Sequence, residues 1–122
     1  MKRILVIDDE PNILKSLMRI LDDNYAVTTA LGGGAGLKLL KNGDQFDLII
    51  SDLSMPEING IELYNQIAIL FPGLEKNIIF MTGFAYTEDI KTFLQNVNPP
   101  ILEKPFIAEN LFSLINKHFL SE

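Results

Sequence analysis

The chain of 122 residues contains no cysteine and has few basic residues. Without cysteine there is no disulfide framework, no thiolate metal site and no cysteine nucleophile, which fits a reducing compartment such as the cytoplasm. Ten lysine and arginine residues against sixteen aspartate and glutamate residues give a net charge of −6. Because a basic cluster is also absent, we expect no direct contact of this domain with the phosphate backbone of a nucleic acid.

Long apolar segments are missing as well. No segment approaches the roughly 18 consecutive apolar residues of a membrane span. The apolar stretch near the N-terminus ends at Asp8 and Asp9, too early for a signal peptide. Linkers, repeats and low-complexity segments are not found either. Since hydrophobic residues make up 48% of the chain, we predict a single cytoplasmic domain over residues 1–122, with one core and no membrane contact.

Hydrophobic periodicity predicts five strands that alternate with five helices. Short apolar runs predict strands, and apolar residues repeated at the helical period predict helices. The predicted strands are 3–7, 25–30, 46–51, 77–81 and 101–103, and the predicted helices are about 11–21, 35–41, 60–71, 87–97 and 108–119. This alternation is typical of βαβ units and therefore predicts an α/β fold with a parallel sheet.

Charged or hydroxyl side chains follow four of the five predicted strands. Asp8 and Asp9 follow the first strand, Asp52 the third, Thr82 the fourth and Lys104 the fifth. In an open parallel sheet, ligands bind outside the carboxyl ends of the strands, so these residues are expected to converge. Three crowded carboxylates repel one another, and a hard cation relieves that repulsion. The hydroxyl and the ammonium then remain available for a phosphate-like anion.

Four short motifs carry a resemblance to a known family. They are Asp8-Asp9-Glu10, Asp52-Leu53-Ser54-Met55-Pro56 with Gly60, Met81-Thr82-Gly83 and Lys104-Pro105-Phe106, in this order and each after an apolar strand. Together they resemble the receiver domain of two-component response regulators over essentially the whole chain. The resemblance implies a doubly wound (βα)5, flavodoxin-like sandwich, with sheet order 2-1-3-4-5 and helices on both faces.

The resemblance also implies a phosphorylation switch for signal transduction or phosphorelay. Asp52 is expected to accept a phosphoryl group from a sensor histidine kinase or a phosphotransfer protein and to form an aspartyl phosphate. The expected Mg²⁺ ligands are Asp9, Asp52 and the backbone carbonyl of Ser54, with Asp8 acting through a bound water. The domain would phosphorylate and dephosphorylate itself without turning over a separate substrate, so we do not expect an enzyme in the usual sense.

Two further residues are expected to respond to the phosphoryl group. Lys104 would pair with one of its oxygens and Thr82 would donate its hydroxyl to another. The bond between Lys104 and Pro105 is a candidate cis peptide, because only bonds before proline adopt the cis form at low cost and the family has one here. Output is expected through the face of the fourth helix, fifth strand and fifth helix, toward an effector domain or protein or a phosphorylation-dependent homodimer.

Three positions depart from the pattern of the family. Ile101 stands where the family usually has tyrosine or phenylalanine, so the usual aromatic switch is in doubt. Asn98-Pro99-Pro100 replaces a small Gly-Ala stretch, and its prolines are expected to stiffen the chain before the fifth strand. Phe84 occupies a position where polar residues are common, and we expect its ring to shield the phosphoryl group and to slow hydrolysis.

Three alternative functions stay open at this stage. A degenerate receiver that acts only by docking is suggested by Ile101. A Mg²⁺-dependent phosphohydrolase with an aspartate nucleophile commonly has a second aspartate two residues on, whereas this chain has Ser54. A flavodoxin-like mononucleotide binder needs a hydroxyl-rich loop after the first strand, which is acidic here. The glycines between Gly32 and Gly36 lack a dinucleotide or Walker pattern and are interpreted as a flexible start of a soft helix.

Overall fold

In a computed structural model, which describes residues 1–83 and 86–121, five strands and five helices alternate along the described chain. The strands are β1 (Arg3–Asp8), β2 (Ala26–Leu31), β3 (Leu48–Asp52), β4 (Ile78–Thr82) and β5 (Ile101–Glu103), and the helices are α1 (Pro11–Leu21), α2 (Gly33–Lys41), α3 (Gly60–Leu70), α4 (Glu88–Val97) and α5 (Ala108–Leu120). All strand pairs are parallel, in the order β2-β1-β3-β4-β5. The predicted (βα)5 fold is confirmed.

Each face of the sheet has its own apolar core. One face packs against α2, α3 and α4, and we call this cluster the α2–α4 core; it includes Leu5, Ile7, Ile49, Phe80 and Phe93. The other face packs against α1 and α5 and forms the α1/α5 core, which includes Ile4, Val6, Ile50, Leu17 and Ile115. Every residue of β3 and β4 is buried, as expected for strands covered by helices on both sides.

Four strands reach one residue further than the apolar runs predicted, and three of them end at predicted site residues. β1, β3 and β4 end at Asp8, Asp52 and Thr82. These residues continue the parallel register, in which Asp8 is opposite Leu31 and Asp52 is opposite Met81. These predicted site residues therefore belong to the strands themselves, so the sheet fixes their backbone positions.

Three strands begin later than predicted, and the residue that caps the first helix is Glu10. β2 begins at residue 26 and β3 at residue 48, while residue 77 belongs to a 3₁₀ turn, Leu74–Asn77. Glu10 is the N-cap of α1, with no hydrogen bond from its side chain. Instead, the backbone N–H of Glu10 donates to Asp8 Oδ1 over 2.9 Å. The turn into α1 thus depends on Asp8 and leaves Asp9 available to the site.

Helix α2 begins at Gly33, two residues earlier than predicted. Its Gly36 is buried, and a Cβ atom at this position would collide with Cδ1 of Ile7 in β1. The glycine therefore allows α2 to lie close to β1, immediately before Asp8. Gly36 lowers helix propensity, but close packing against the sheet requires it. Within the described residues, no helix is long and apolar enough to cross a membrane.

Candidate functional site

Three carboxylates meet at the carboxyl ends of β1 and β3. Asp8, Asp9 and Asp52 each present an oxygen, and these three oxygens lie within 4.8 Å of one another. Asp8 is 0% and Asp52 is 6% exposed, whereas Asp9 is the most accessible of the three. Carboxylate oxygens at this spacing are the hard donors that Mg²⁺ prefers. The residues present therefore fit a divalent cation, with access from the side of Asp9.

Lys104 provides the positive charge of the site. Its Nζ lies 2.9 Å from Asp8 Oδ2 and 3.4 Å from Asp52 Oδ2. Its backbone N–H donates to the carbonyl of Thr82 over 2.8 Å, which ties the residue to the end of β4. The peptide bond between Lys104 and Pro105 is cis, as predicted. The ion pair with Asp8 was not predicted, because the sequence indicates that the strand ends converge but not the directions of their side chains.

The environment shifts the pKa values of two groups in the site. Burial raises the pKa of Asp52 to about 6, and repulsion from Asp8 and Asp9 acts in the same direction, while Lys104 opposes the rise. For Lys104, burial works to lower the pKa, but the hydrogen bond to Asp8 and the attraction of Asp52 outweigh it, so the pKa is raised. At neutral pH, Asp52 is thus mostly a carboxylate and Lys104 a cation.

Thr82 lies at the end of β4 and is 4% exposed. Its Oγ1 donates a long hydrogen bond of 3.4 Å to the carbonyl of Gly83. A bond of this length is weak, so the hydroxyl loses little when it turns to another acceptor. Thr82 is one residue beyond Met81, which is paired in register with Asp52 on the neighbouring strand. The structure therefore places this hydroxyl at the same edge of the sheet as the carboxylates.

The loop after Asp52, residues 53–59, is held at both ends. The N–H of Leu53 donates to the carbonyl of Met81 over 3.0 Å, and the N–H of Gly60 donates to the carbonyl of Leu53 over 2.9 Å. Between these bonds, Ser54 is exposed and Met55 is buried. Glu57 has a left-handed backbone with φ of 65°, which was not predicted. The loop is thus a closed turn whose backbone passes next to the acid cluster.

Two of the three positions that depart from the family pattern lie near β4 and β5. Ile101 is half-buried, opposite Phe80 in the sheet, and packs against the α2–α4 core. Asn98 ends α4 in a left-handed conformation with φ of 51°, and the carbonyl of Pro100 accepts from the N–H of Phe80 over 3.0 Å. This stretch is therefore tied directly to β4. Phe84 lies outside the described residues.

Comparison with known proteins gives a consistent result. The family described as response regulator receiver domain matches residues 4–116. Response regulator ArlR of Staphylococcus haemolyticus is 37% identical over 117 residues, covering 94% of this chain and 51% of that protein. Transcriptional regulatory protein GlrR of Escherichia coli is 34% identical over 114 residues, covering 93% of this chain and 25% of that protein.

A solved structure extends the comparison to the fold. Response regulator protein TrrA of Thermotoga maritima, crystallised in complex with Mg²⁺-BeF, is 34% identical, with a TM-score of 0.78 and coverage of 97% of this chain and 99% of that one. These findings favour neither a phosphohydrolase nor a mononucleotide binder. The chain spans about a quarter of the length of GlrR and about half that of ArlR.

Proposed function

The chain belongs to the response regulator receiver family of two-component signal transduction, whose general function is phosphorylation on an aspartate, and on this premise we propose that Asp52 is the phosphoacceptor. A carboxylate oxygen of Asp52 attacks the phosphorus of a phosphohistidine on a partner kinase or phosphotransfer protein. The new O–P bond forms while the P–N bond breaks. The departing imidazole nitrogen keeps the electron pair of the broken bond and takes a proton from solvent.

The position and charge of Asp52 support its role as the nucleophile. It is the last residue of β3, the central strand of the sheet, and its backbone is held in register with Met81. Its pKa of about 6 leaves the carboxylate ionised at neutral pH while burial limits its hydration. Asp8 is a weaker candidate because its two oxygens already accept from the N–H of Glu10 and from Lys104.

We assign the metal-holding role to Asp9, Asp52 and the backbone carbonyl of Ser54, with Asp8 acting through a bound water. The clustered carboxylate oxygens and the exposure of Asp9 support this assignment. A bound Mg²⁺ supplies positive charge that neutralises the carboxylates and the phosphoryl oxygens. The residues of the chain hold and orient the reacting groups around it.

Lys104 and Thr82 are the residues that we propose to bind the phosphoryl group. Lys104 already lies 3.4 Å from Asp52 Oδ2, so a phosphoryl oxygen on Asp52 is within reach of its ammonium. Thr82 can replace its long bond to Gly83 with a shorter one to a phosphoryl oxygen. Ile101, which lies opposite Phe80 and packs against the α2–α4 core, takes the place of the usual aromatic residue, and we propose that its aliphatic side chain shifts when Thr82 moves.

The output and the setting follow from the same proposal. The added charge biases α4, β5 and α5 between two arrangements, and this face then engages an effector domain or protein, or a second copy of the chain. The upstream partner is a sensor histidine kinase or a phosphotransfer protein, and the domain works in the cytoplasm. Residues 1–122 act as one receiver domain that turns over no separate substrate.

The experiment is intact-mass analysis after incubation with acetyl phosphate and Mg²⁺. Wild type is expected to gain about 80 Da, the mass of a phosphoryl group, in a labile adduct. Asp52→Asn is expected to gain nothing, whereas Asp23→Asn, which changes an exposed aspartate next to the end of α1, should behave as wild type. A wild-type protein that folds and binds Mg²⁺ but forms no adduct would contradict the proposal and favour a receiver that acts by docking alone.

A further inference from the structure

The loop that carries Ser54 lies against a helix turn that has almost no side chains. A Cβ atom added to Gly33 would lie 2.5 Å from the backbone carbonyl oxygen of Ile58 and 3.1 Å from Cβ of Ile58. Real Cβ atoms do not approach other atoms so closely, so an alanine at residue 33 would have to push the loop away. The first turn of α2 thus packs directly against Ile58.

The side chain of Ile58 continues this contact. It packs against the α2–α4 core, and its Cδ1 would lie 4.0 Å from a Cβ atom on Gly34, an ordinary van der Waals distance. Glu57 precedes Ile58 with a left-handed backbone, which costs energy for a residue other than glycine. The packing of Ile58 on α2 stabilises this turn of the loop.

The position of the loop at Ile58 determines the position of Ser54, because the loop is short and its ends are held together by hydrogen bonds. Leu53 is bonded to Met81 at one side and to Gly60 at the other. Leu53 and Met55, which flank Ser54, are both buried. The loop therefore has little freedom to absorb a backbone shift at Ile58. Such a shift reaches the carbonyl of Ser54.

We propose that Gly33 and Ile58 are positioning residues for the metal site: their contact fixes the loop so that the carbonyl of Ser54 faces the carboxylates of Asp9 and Asp52. Neither residue touches the ion or the phosphoryl group. The inference rests on the proposed function, because it assumes that Ser54 is a ligand. It assigns to the glycine-rich start of α2 a role in cation affinity.

Two adjacent glycines provide a matched pair of variants for the test. Gly33→Ala and Gly34→Ala raise the helix propensity of α2 alike, but only Gly33→Ala displaces the loop. The measurement is the Kd of Mg²⁺ by isothermal titration calorimetry, together with the free energy of unfolding in urea without metal. We expect Gly33→Ala to raise the Kd about tenfold, the effect typical of residues that orient metal ligands, and Gly34→Ala to stay within about twofold of wild type.

A second pair keeps the test decisive if Gly33→Ala does not fold. Ile58→Ala removes the packing on α2 and is expected to raise the Kd about threefold or more, whereas Ile58→Val keeps the branched side chain and should restore most of the affinity. An unchanged Kd for Ile58→Ala, or for a folded Gly33→Ala, would overturn the inference about Gly33 and Ile58. The proposed function would still stand in that case if wild type bound Mg²⁺. If wild type itself bound no Mg²⁺, both the inference and the proposed metal site would be wrong.

Discussion

The two halves of the site are built differently. β1 and β3, which end at Asp8 and Asp52, are buried along nearly their whole length. β5, which leads into Lys104, has only three residues, and Leu102 alone is buried. The carboxylates are therefore held by strands that both cores cover, while the ammonium comes from a short edge strand with less packing around it.

The difference in packing assigns the two tasks of a phosphorylation switch, phosphoryl transfer and conformational change, to different parts of the sheet. Phosphoryl transfer requires reacting groups in fixed positions, and the centre of the sheet provides them. A switch requires an element whose alternative arrangement costs little, and such elements come from the less stable parts of a fold. The edge formed by β5, with the half-buried Ile101, meets that requirement. The buried strands thus hold the acids, while the less packed edge strand leads to the cation.

The largest expected effect compares two isoleucines in the same core. Ile49 in β3 is 0% exposed, whereas Ile101 in β5 is half-buried, and both pack in the α2–α4 core. We expect Ile49→Ala to lower the free energy of unfolding by about 4 kcal/mol and Ile101→Ala by about 1 kcal/mol, because the cost grows with the apolar volume removed from a closed core. Urea denaturation measures both. Equal losses of unfolding free energy would contradict the difference in packing between β3 and β5.

The next effect concerns the charge of the acid pocket. Because the pKa of Asp52 is raised in the folded state, folding favours its protonated form, and wild type should lose stability as the pH rises from about 4 to about 6. Asp52→Asn has no charge to bury there. We expect it to be more stable than wild type by about 1 to 2 kcal/mol at pH 7, less than the full shift implies, since solvent on the side of Asp9 screens the charge.

Urea denaturation of both proteins at pH 4 and pH 7, in buffer with a chelator, checks this prediction. The difference in unfolding free energy between Asp52→Asn and wild type should fall toward zero at pH 4. A variant that is less stable than wild type at pH 7 would mean that the ion pair between Lys104 and Asp52 outweighs the cost of burial.

Mg²⁺ is expected to stabilise the folded protein by a comparable amount, by binding to the carboxylates at the ends of β1 and β3. A ligand that binds only the folded state at ten times its Kd stabilises it by about 1.4 kcal/mol, so MgCl₂ should raise the melting temperature of wild type. Asp9→Asn should abolish most of this rise, because Asp9 is the most accessible carboxylate of the cluster. Asp23→Asn is the control and should keep it. An equal rise in all three proteins would place the cation elsewhere.

The smallest effect on stability is expected at Thr82. Its long hydrogen bond to Gly83 contributes little, so Thr82→Val should change the free energy of unfolding by only about 0.5 kcal/mol. The variant should nevertheless lose the change in amide hydrogen exchange that beryllofluoride induces in α4 and β5 of wild type. Thr28→Val in β2 serves as the control. A full exchange response in Thr82→Val would show that the hydroxyl does not couple the site to β5.

The sequence predicts the residues that lie on buried strands better than it predicts their contacts. Asp8, Asp52 and Thr82 could be located because each follows a continuous apolar run, and parallel strands bring their carboxyl ends together. The ion pair between Lys104 and Asp8 could not be derived, because it depends on side-chain directions across strands that are remote in sequence.

The glycines and loops were the least predictable features. From the sequence alone, a glycine in a helix indicates only a local loss of helix propensity. In the structure, Gly36 packs against Ile7 of β1 and Gly33 packs against the loop at Ile58. The left-handed backbone at Glu57 is likewise set by packing over the closed loop and not by its own preference. These features arise from tertiary packing, which cannot be predicted from the periodicity of apolar residues in one sequence.

The most direct test of the central claim is to map the phosphorylated residue. Wild type is treated with acetyl phosphate and Mg²⁺, the acyl phosphate is reduced with borohydride, and the peptides are sequenced by mass spectrometry. The acyl phosphate of an aspartate is reduced to homoserine, so the account predicts homoserine at residue 52 and unmodified aspartate at residues 8 and 9. Homoserine at residue 8 or 9, or at none of the three in protein that binds Mg²⁺, would contradict it.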